Sequence, residues 1–290
     1  MSLIQNLIFG LEMGSYIAIA AIGFTIVYGI VNMINFAYGE YMTIGAYVGF
    51  FAMSDLNLPL PAALIVVVLL SAILGWIISR IVFVPNHDAG PIPLLLISIG
   101  LGFVLRNGYR ILLGGDPRYI RMSTSTYRFE SLDLFVTSQH LLSVAVAGVA
   151  FIGIHLLLTR TNVGIAMRAT SDNEKLSTIS GIYTGKIRRN VWLLSSALAG
   201  LSGFMIAMGT SATPLTGFHQ ILLVLSAAIL GGAGSAYGAI IGAYIIGLTV
   251  TLSTAYLPGE LSNLGTMFAF VILIVVLLVR PTGIADVEEA

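Results

Sequence analysis

NVWLLSSALAGLSGFMIAMGTSATPLTGFHQILLVLSAAILGGAGSAYGAIIGAYIIGLTVTLSTAYLPG, residues Asn190 to Gly259, runs for seventy residues without an Asp, Glu, Lys or Arg. A membrane-crossing helix needs ~20 apolar residues, so this stretch has room for several. The segment before it, Arg160–Arg189, holds six of the chain's thirteen basic residues: Arg160, Arg168, Lys175, Lys186, Arg188 and Arg189. Lys and Arg collect on the cytoplasmic side because they are hard to translocate. The juxtaposition predicts a polytopic membrane protein with one large cytoplasmic loop, 160–189.

Composition agrees. Charged residues make up 9% of the chain and apolar residues 57%, against ~25% charged in soluble domains. That excludes a soluble globular fold. Net charge is zero, and no Lys/Arg-rich run lies outside the central loop, so nothing points to nucleic acid. Cysteine is absent, which excludes disulfides, thiolate metal sites and a Cys nucleophile. The N-terminal MSLIQNLIFGLE lacks the basic region of a signal peptide, so the first apolar stretch is expected to stay as a span. The length suits a single transmembrane domain over 1–290, with no added ATPase domain.

Apolar runs fall at about Leu7–Val31, Tyr41–Met53, Pro61–Val84, Pro91–Leu113, Leu141–Thr159, Val191–Ser211, Ile221–Leu230, Ala239–Leu257 and Ser262–Val279. The expected fold is all-α: a transmembrane bundle of about eight or nine segments, with Tyr41–Met53 and Ile221–Leu230 too short to cross alone. The loop 114–138 mixes Arg118, Arg121 and Arg128 with Asp116, Glu130 and Asp133. Its zero net charge suits an extracytoplasmic face with a short strand. Arg280 then falls inside, and the side of the N-terminus stays open.

An internal echo suggests two structural repeats. Ala37-Tyr38-Gly39, then Ile44-Gly45-Ala46-Tyr47 and Gly49, is matched by Ala236-Tyr237-Gly238, then Ile241-Gly242-Ala243-Tyr244 and Gly247. Each copy runs on to a Leu-Pro turn, Leu58-Pro59 and Leu257-Pro258. Paired Gly-interrupted segments point to a transporter's pathway. Gly231-Gly232-Ala233-Gly234-Ser235 is too Gly-rich for ordinary helix, and irregular backbone at membrane depth survives only beside protein or a water-lined cavity. The candidate path therefore takes Asn35, Phe36, Gly39 and Glu40 from the first lead-in and Gly231, Gly232, Gly234 and Ser235 from the second. Gly39–Gly45 and Gly231–Gly238 are expected to meet near the membrane's middle.

The basic loop carries helix signals. Ser171-Asp172-Asn173-Glu174 fits a capping box with Ser171 as the cap. The helix it starts would carry Leu176 and Ile179 on one face and stop at Gly181. Before it, Val163, Ala166, Met167 and Thr170 line one side of another short helix. Two short helices with apolar stripes make a docking surface for a cytoplasmic partner. The loop binds no nucleotide itself: in Gly181-Ile182-Tyr183-Thr184-Gly185-Lys186-Ile187 the glycines are too close, and Ile187 stands where a P-loop needs Ser or Thr.

Remaining polar residues are less telling. Glu40 opens the first short helix, where the dipole favours a negative charge. Glu12 lies in the first apolar stretch, near its interface end. Gly200-Leu201-Ser202-Gly203 looks like the motif of rhomboid intramembrane proteases, but the downstream His219 lies beyond Ser202's span, past Pro214. A nucleophilic Ser needs a base within hydrogen-bond reach, so small-residue packing is the better account. His87, His140 and His155 have no metal-ligand spacing. No catalytic residue, metal or cofactor is expected.

These residues also resemble a family. Gly10-Leu11, Gly14-Ser15-Tyr16, Asn35-Phe36-Ala37-Tyr38-Gly39-Glu40, Met42 and Gly45-Ala46-Tyr47 are similar to the N-terminal signature of LivH-type permeases. These are the inner-membrane components of binding-protein-dependent branched-chain amino acid ABC importers. Arg168-Ala169, Asp172 and Gly181-Ile182 resemble the loop with which such permeases dock on their ATPases. Gly231-Gly232-Ala233-Gly234, Gly238-Ala239 and Arg280-Pro281-Thr282-Gly283-Ile284 resemble the C-terminal pattern. Tyr38 departs from it, where the family usually has His. The resemblance implies ATPase docking through Arg160, Arg168, Asp172, Glu174, Leu176, Ile179, Gly181 and Ile182. It implies a second homologous permease, two ATP-binding subunits and an extracytoplasmic solute-binding protein as partners, in a cell (inner or plasma) membrane. Leu, Ile and Val are the implied cargo, with urea or short amides in close relatives. An ion-coupled secondary transporter and an intramembrane serine protease are the alternatives at this point.

Overall fold

The computed structural model describes residues 3–122, 125–129, 134–257 and 264–285. Glu130, Asp133, the Leu257-Pro258 turn and the start of the Ser262–Val279 span fall wholly or partly outside them. The α-helices are α1 Leu3–Val31, α2 Tyr38–Phe50, α3 Leu60–Val82, α4 Pro91–Leu113, α5 Ser138–Arg160, α6 Asn162–Asp172, α7 Glu174–Ile179, α8 Thr184–Gly209, α9 Thr216–Gly231, α10 Ala236–Tyr256 and α11 Gly265–Val279. Six of them, α1, α3, α4, α5, α8 and α10, are long and apolar enough to cross a membrane. The shorter α2, α9 and α11 complete the bundle. A π-helical turn, Phe51–Asp55, lengthens α2, and a 3-10 turn, Val84–Ala89, follows α3.

Proline and glycine set the boundaries. Pro61 and Pro91 stand in the first turns of α3 and α4, where a missing N–H costs no helical bond. The expected short strand is a hairpin: β1 Thr126–Phe129 pairs antiparallel with β2 Leu134–Thr137. Thr137 then caps α5, its side chain paired with the His140 backbone while His140 reaches back.

Two long helices, α1 and α8, run through a buried centre that also holds α2 and most of α9, and more exposed helices form the rim. α1 is buried along most of its length from Ser15 to Val27, and α8 likewise from Ser195 to Ala207. Helices apolar all round belong at a bundle's centre. Between lipid-embedded helices there is little hydrophobic drive, so close packing by small residues holds them. Gly10 and Gly14 of α1 meet Leu248 and Tyr244 of α10, Gly75 of α3 meets Ser196 of α8, and Gly45 of α2 meets Gly200 of α8. Ser202 belongs to this packing: it is fully buried, and its hydroxyl donates to the Tyr16 carbonyl at 2.7 Å.

Contacts at the two ends order the helices. Gly29, near the end of α1, meets Ser171 of α6, whose Oγ donates to its carbonyl at 2.8 Å. At the other end of α1, the Gln5 side-chain carbonyl accepts from the Phe135 N–H of the hairpin at 2.9 Å. The start of α1 therefore lies at the hairpin end, opposite the arginine-rich segment.

Candidate functional site

The segment 32–37 between α1 and α2 is not helical, and its backbone groups find side-chain partners. Asn35 is fully buried, and its Oδ1 accepts from the Ala37 N–H at 3.0 Å. The Phe36 N–H donates to Ser98 Oγ of α4, also at 3.0 Å. Tyr38, where an imidazole was expected from the resemblance, is fully buried and bridges the two central helices. Its hydroxyl contacts the Ala20 carbonyl of α1 at 2.8 Å and the Ser195 carbonyl of α8 at 3.3 Å. It holds the α1–α2–α8 junction together.

Glu40 has a partner that sequence reasoning missed. Arg106 of α4 donates to its Oε1 from Nη2 at 2.7 Å and from Nε at 3.0 Å. The guanidinium carbon also stacks 3.7 Å from the Phe218 ring centroid of α9. The glutamate side chain is 1% exposed and the arginine 12%. Its second oxygen, Oε2, is buried without a hydrogen-bond partner among the described residues. A charge at the bilayer centre costs ~2.5–3.5 kcal/mol on insertion scales, so opposite charges at depth are kept in pairs. The signal was available: Arg106 is a basic residue inside the apolar run Pro91–Leu113. The partners lie sixty-six positions apart, which hid the pairing.

The path residues do not gather as the echo suggested. Gly39 faces the Gly217 carbonyl, 2.7 Å from where a Cβ would stand, and Thr43 Oγ1 accepts from the Gly217 N–H at 3.1 Å. The neighbour that α2 meets at its start is thus the start of α9, whose lead-in 210–215 carries no echo. The second lead-in folds differently. Gly231 packs on Gly238, Gly232 and Gly234 take positive φ, and Ser235 caps α10 by accepting from the Gly238 N–H at 3.1 Å. The C-terminal segment closes over it: the Ile284 N–H donates to the Leu230 carbonyl at 2.9 Å and the Ala285 N–H to the Gly231 carbonyl at 3.1 Å. Each copy of the echo opens a helix, α2 or α10, but only α10 has a side-chain cap. Both lead-ins contribute to a cavity of about 220 Å³, lined by Thr25, Tyr28, Ile34, Ala233 and Gly234 among others.

At the arginine-rich end, one cap differs from expectation. Ser171 ends α6 and bonds to α1, so it cannot cap α7. Asn173 does this instead, its Oδ1 accepting from the Leu176 N–H at 2.9 Å. The other end of α7 stops as expected: Gly181 has φ +88, its N–H bonds the Thr178 carbonyl at 3.1 Å, and the Ile182 N–H bonds the Ser177 carbonyl at 3.0 Å. This pair is a Schellman cap. The two apolar stripes part company. On α6, Met167 and Thr170 are buried and Ala166 half-buried, with Val163 at the exposed edge. On α7, Leu176 and Ile179 stay 60% and 84% exposed. Arg160, Arg168, Asp172 and Gly181 are exposed around them, Ile182 is half-buried, and Glu174 pairs with Arg188 at 3.3 Å.

Comparison with known proteins places the chain in a family. Residues 6–277 match the family described as branched-chain amino acid transport system, permease component. The chain is 30% identical to the high-affinity branched-chain amino acid transport system permease protein LivH of Escherichia coli (strain K12), over 99% of this chain and 96% of that relative. It is 30% identical to BraD of Pseudomonas aeruginosa, a permease protein of the same description, over 99% of this chain and 96% of that one. The similarity to the probable LivH permease of Methanocaldococcus jannaschii is 31%, over 94% of this chain and 89% of that one. No solved structure matches. A helical bundle with paired charges at depth, capped helices at one end and a family match along almost its whole length leaves one conclusion: this chain belongs to the family of branched-chain amino acid transport permease components.

Proposed function

We propose that this chain is the permease subunit of an ATP-driven importer of branched-chain amino acids in the inner or plasma membrane. It works by alternating access, with a second permease of similar fold, two ATP-binding subunits and an extracytoplasmic solute-binding protein. In this reading the arginine-rich end is cytoplasmic and the hairpin end faces the binding protein. The observation that carries it is α7: a helix of six residues, capped at both ends, that leaves Leu176 and Ile179 exposed beside Arg168 and Asp172. A single short helix has no stability of its own. Capping both ends while leaving the apolar face bare suits a rigid knob for another protein. Motion of that knob reaches the bundle through α6, since Ser177 Oγ donates to the Ala169 carbonyl at 2.7 Å and Ser171 holds the end of α1.

The candidate path combines segment 32–37, the start of α2 and the Gly231–Ser235 lead-in. Ion coupling is the weaker reading, because Glu40, its best candidate site, is held by Arg106 rather than left to bind a proton or cation. The test is reconstitution of the full assembly in liposomes with labelled leucine, isoleucine or valine. Uptake should need ATP and the binding protein, and Ile179→Asp should abolish it together with ATPase retention. Uptake at the normal rate with Ile179→Asp and Leu176→Asp combined would overturn the docking role.

A further inference from the structure

Three arginines surround a cavity that the transport reading does not use. It measures about 320 Å³ and is lined by Arg80 at the end of α3, Arg188 and Arg189 in the second turn of α8, His87, and both tryptophans of the chain, Trp76 and Trp192. Its floor is rigid, with Phe83 stacked on Trp192 at 5.0 Å between centroids and 8° between planes. Arg80 lies over the Trp76 ring at 5.4 Å, and neither it nor Arg189 has an ion pair among the described residues. Arg188 shares its charge with Glu174, and Asp88 beside His87 points 89% into solvent, so the cavity keeps a positive balance. On the neighbouring face of α3, Ile73, Ile77 and Ile81 are exposed at four-residue spacing, ending beside Arg80.

We propose that this cavity binds the phosphodiester of an anionic phospholipid from the leaflet at the arginine-rich end, with an acyl chain lying along Ile73, Ile77 and Ile81. Three features select a lipid over a free phosphate. The cavity sits where a membrane-crossing helix ends, the half-buried Trp76 at that level suits the headgroup zone, and an apolar stripe runs from the arginines toward the bilayer. Basic pockets between helices at this depth suit anionic headgroups. The site is independent of which solute the protein carries.

Because both tryptophans line the cavity, intrinsic fluorescence reports on it directly. The probe is phosphatidylglycerol with brominated acyl chains, titrated into phosphatidylcholine vesicles holding the full chain, against brominated phosphatidylcholine. Quenching should favour phosphatidylglycerol, by about fivefold for each arginine engaged. Arg80→Gln with Arg189→Gln should bring the two lipids level, Arg80→Lys with Arg189→Lys should keep most of the preference, and Arg280→Gln, at the same end but off the cavity, should leave it intact. Far-UV circular dichroism checks that each variant is folded. Equal quenching by the two lipids in the unaltered chain would overturn the proposal, and so would an unchanged preference in the folded double Gln variant. Inorganic phosphate in detergent that perturbs the fluorescence as strongly as phosphatidylglycerol would assign the site to the free anion and overturn it too.

Discussion

Arg106 and Glu40 show how a residue's meaning depends on what faces it. Alone, each would be a charge at membrane depth; together they form a two-pronged hydrogen-bonded pair braced by Phe218. Removing one partner of a buried pair costs about 3–5 kcal/mol because the other is left uncompensated. Arg106→Gln should therefore lower the unfolding midpoint in mild detergent sharply, and adding Glu40→Gln should recover part of the loss. A loss in the double variant equal to the sum of the two single losses would mean that the pair carries no coupling. Glycines make the same point with opposite signs. A Cβ on Gly200 meets the Ser71 side chain and one on Gly203 meets the Met42 carbonyl, whereas Gly100 of α4 has nothing within 4 Å. Gly203→Ala should destabilise by about 1–3 kcal/mol through overpacking. Gly100→Ala should be neutral or raise stability by up to about 1 kcal/mol through helix propensity. Thermal melts of the two variants side by side check both signs.

At the scale of elements, α6 and α7 divide the work of the arginine-rich segment. Met167 is 3% exposed and Ile179 84%, so they should respond to different assays. Met167→Ala opens a cavity and should cost about 2–5 kcal/mol of stability. Ile179→Asp should leave the melting temperature unchanged while the ATP-binding subunits no longer co-purify. A fall in melting temperature with Ile179→Asp would show that α7 packs against its own chain, and full ATPase retention would remove Ile179 from the docking surface. The sequence read these elements well at their ends and poorly on their faces. Gly181 announced the stop of α7 because a positive φ restricts the residue type strongly. The cap at its start was misassigned to Ser171, because Ser, Asp and Asn all cap well and only the bond from Ser171 to Gly29 removes it from contention. Likewise the apolar stripe of α6 was legible as a stripe, but which stripe is covered depends on the neighbouring helices.

For the whole molecule, the prediction concerns its source of energy. With Glu40 neutralised by Arg106, the isolated chain in liposomes should not accumulate leucine on a proton or sodium gradient. Accumulation should appear when the second permease, the ATP-binding subunits, the binding protein and ATP are supplied. Uphill uptake by the chain alone, lost on Glu40→Gln, would make it an ion-coupled carrier instead.

Membrane residence, the all-helical class, the order of the segments and the family were readable along the chain, although α8 starts seven residues before the expected Val191 and α9 five before Ile221. They rest on local quantities: a seventy-residue charge-free run, basic residues gathered in one loop, prolines and glycines at helix ends, and a motif order that needs no third dimension. The pairing of Glu40 with Arg106, the meeting of Gly39 with Gly217, the end of the bundle at which α1 starts and the burial of α6 against the exposure of α7 were decided only by tertiary structure. Helices in lipid associate by close packing of small residues and by pairing of polar groups. Glycine, alanine and serine are spread so evenly through these segments that many helix pairings look equally good in one dimension. Which small residue meets which, and which charge finds its partner, is settled when all the helices pack at once.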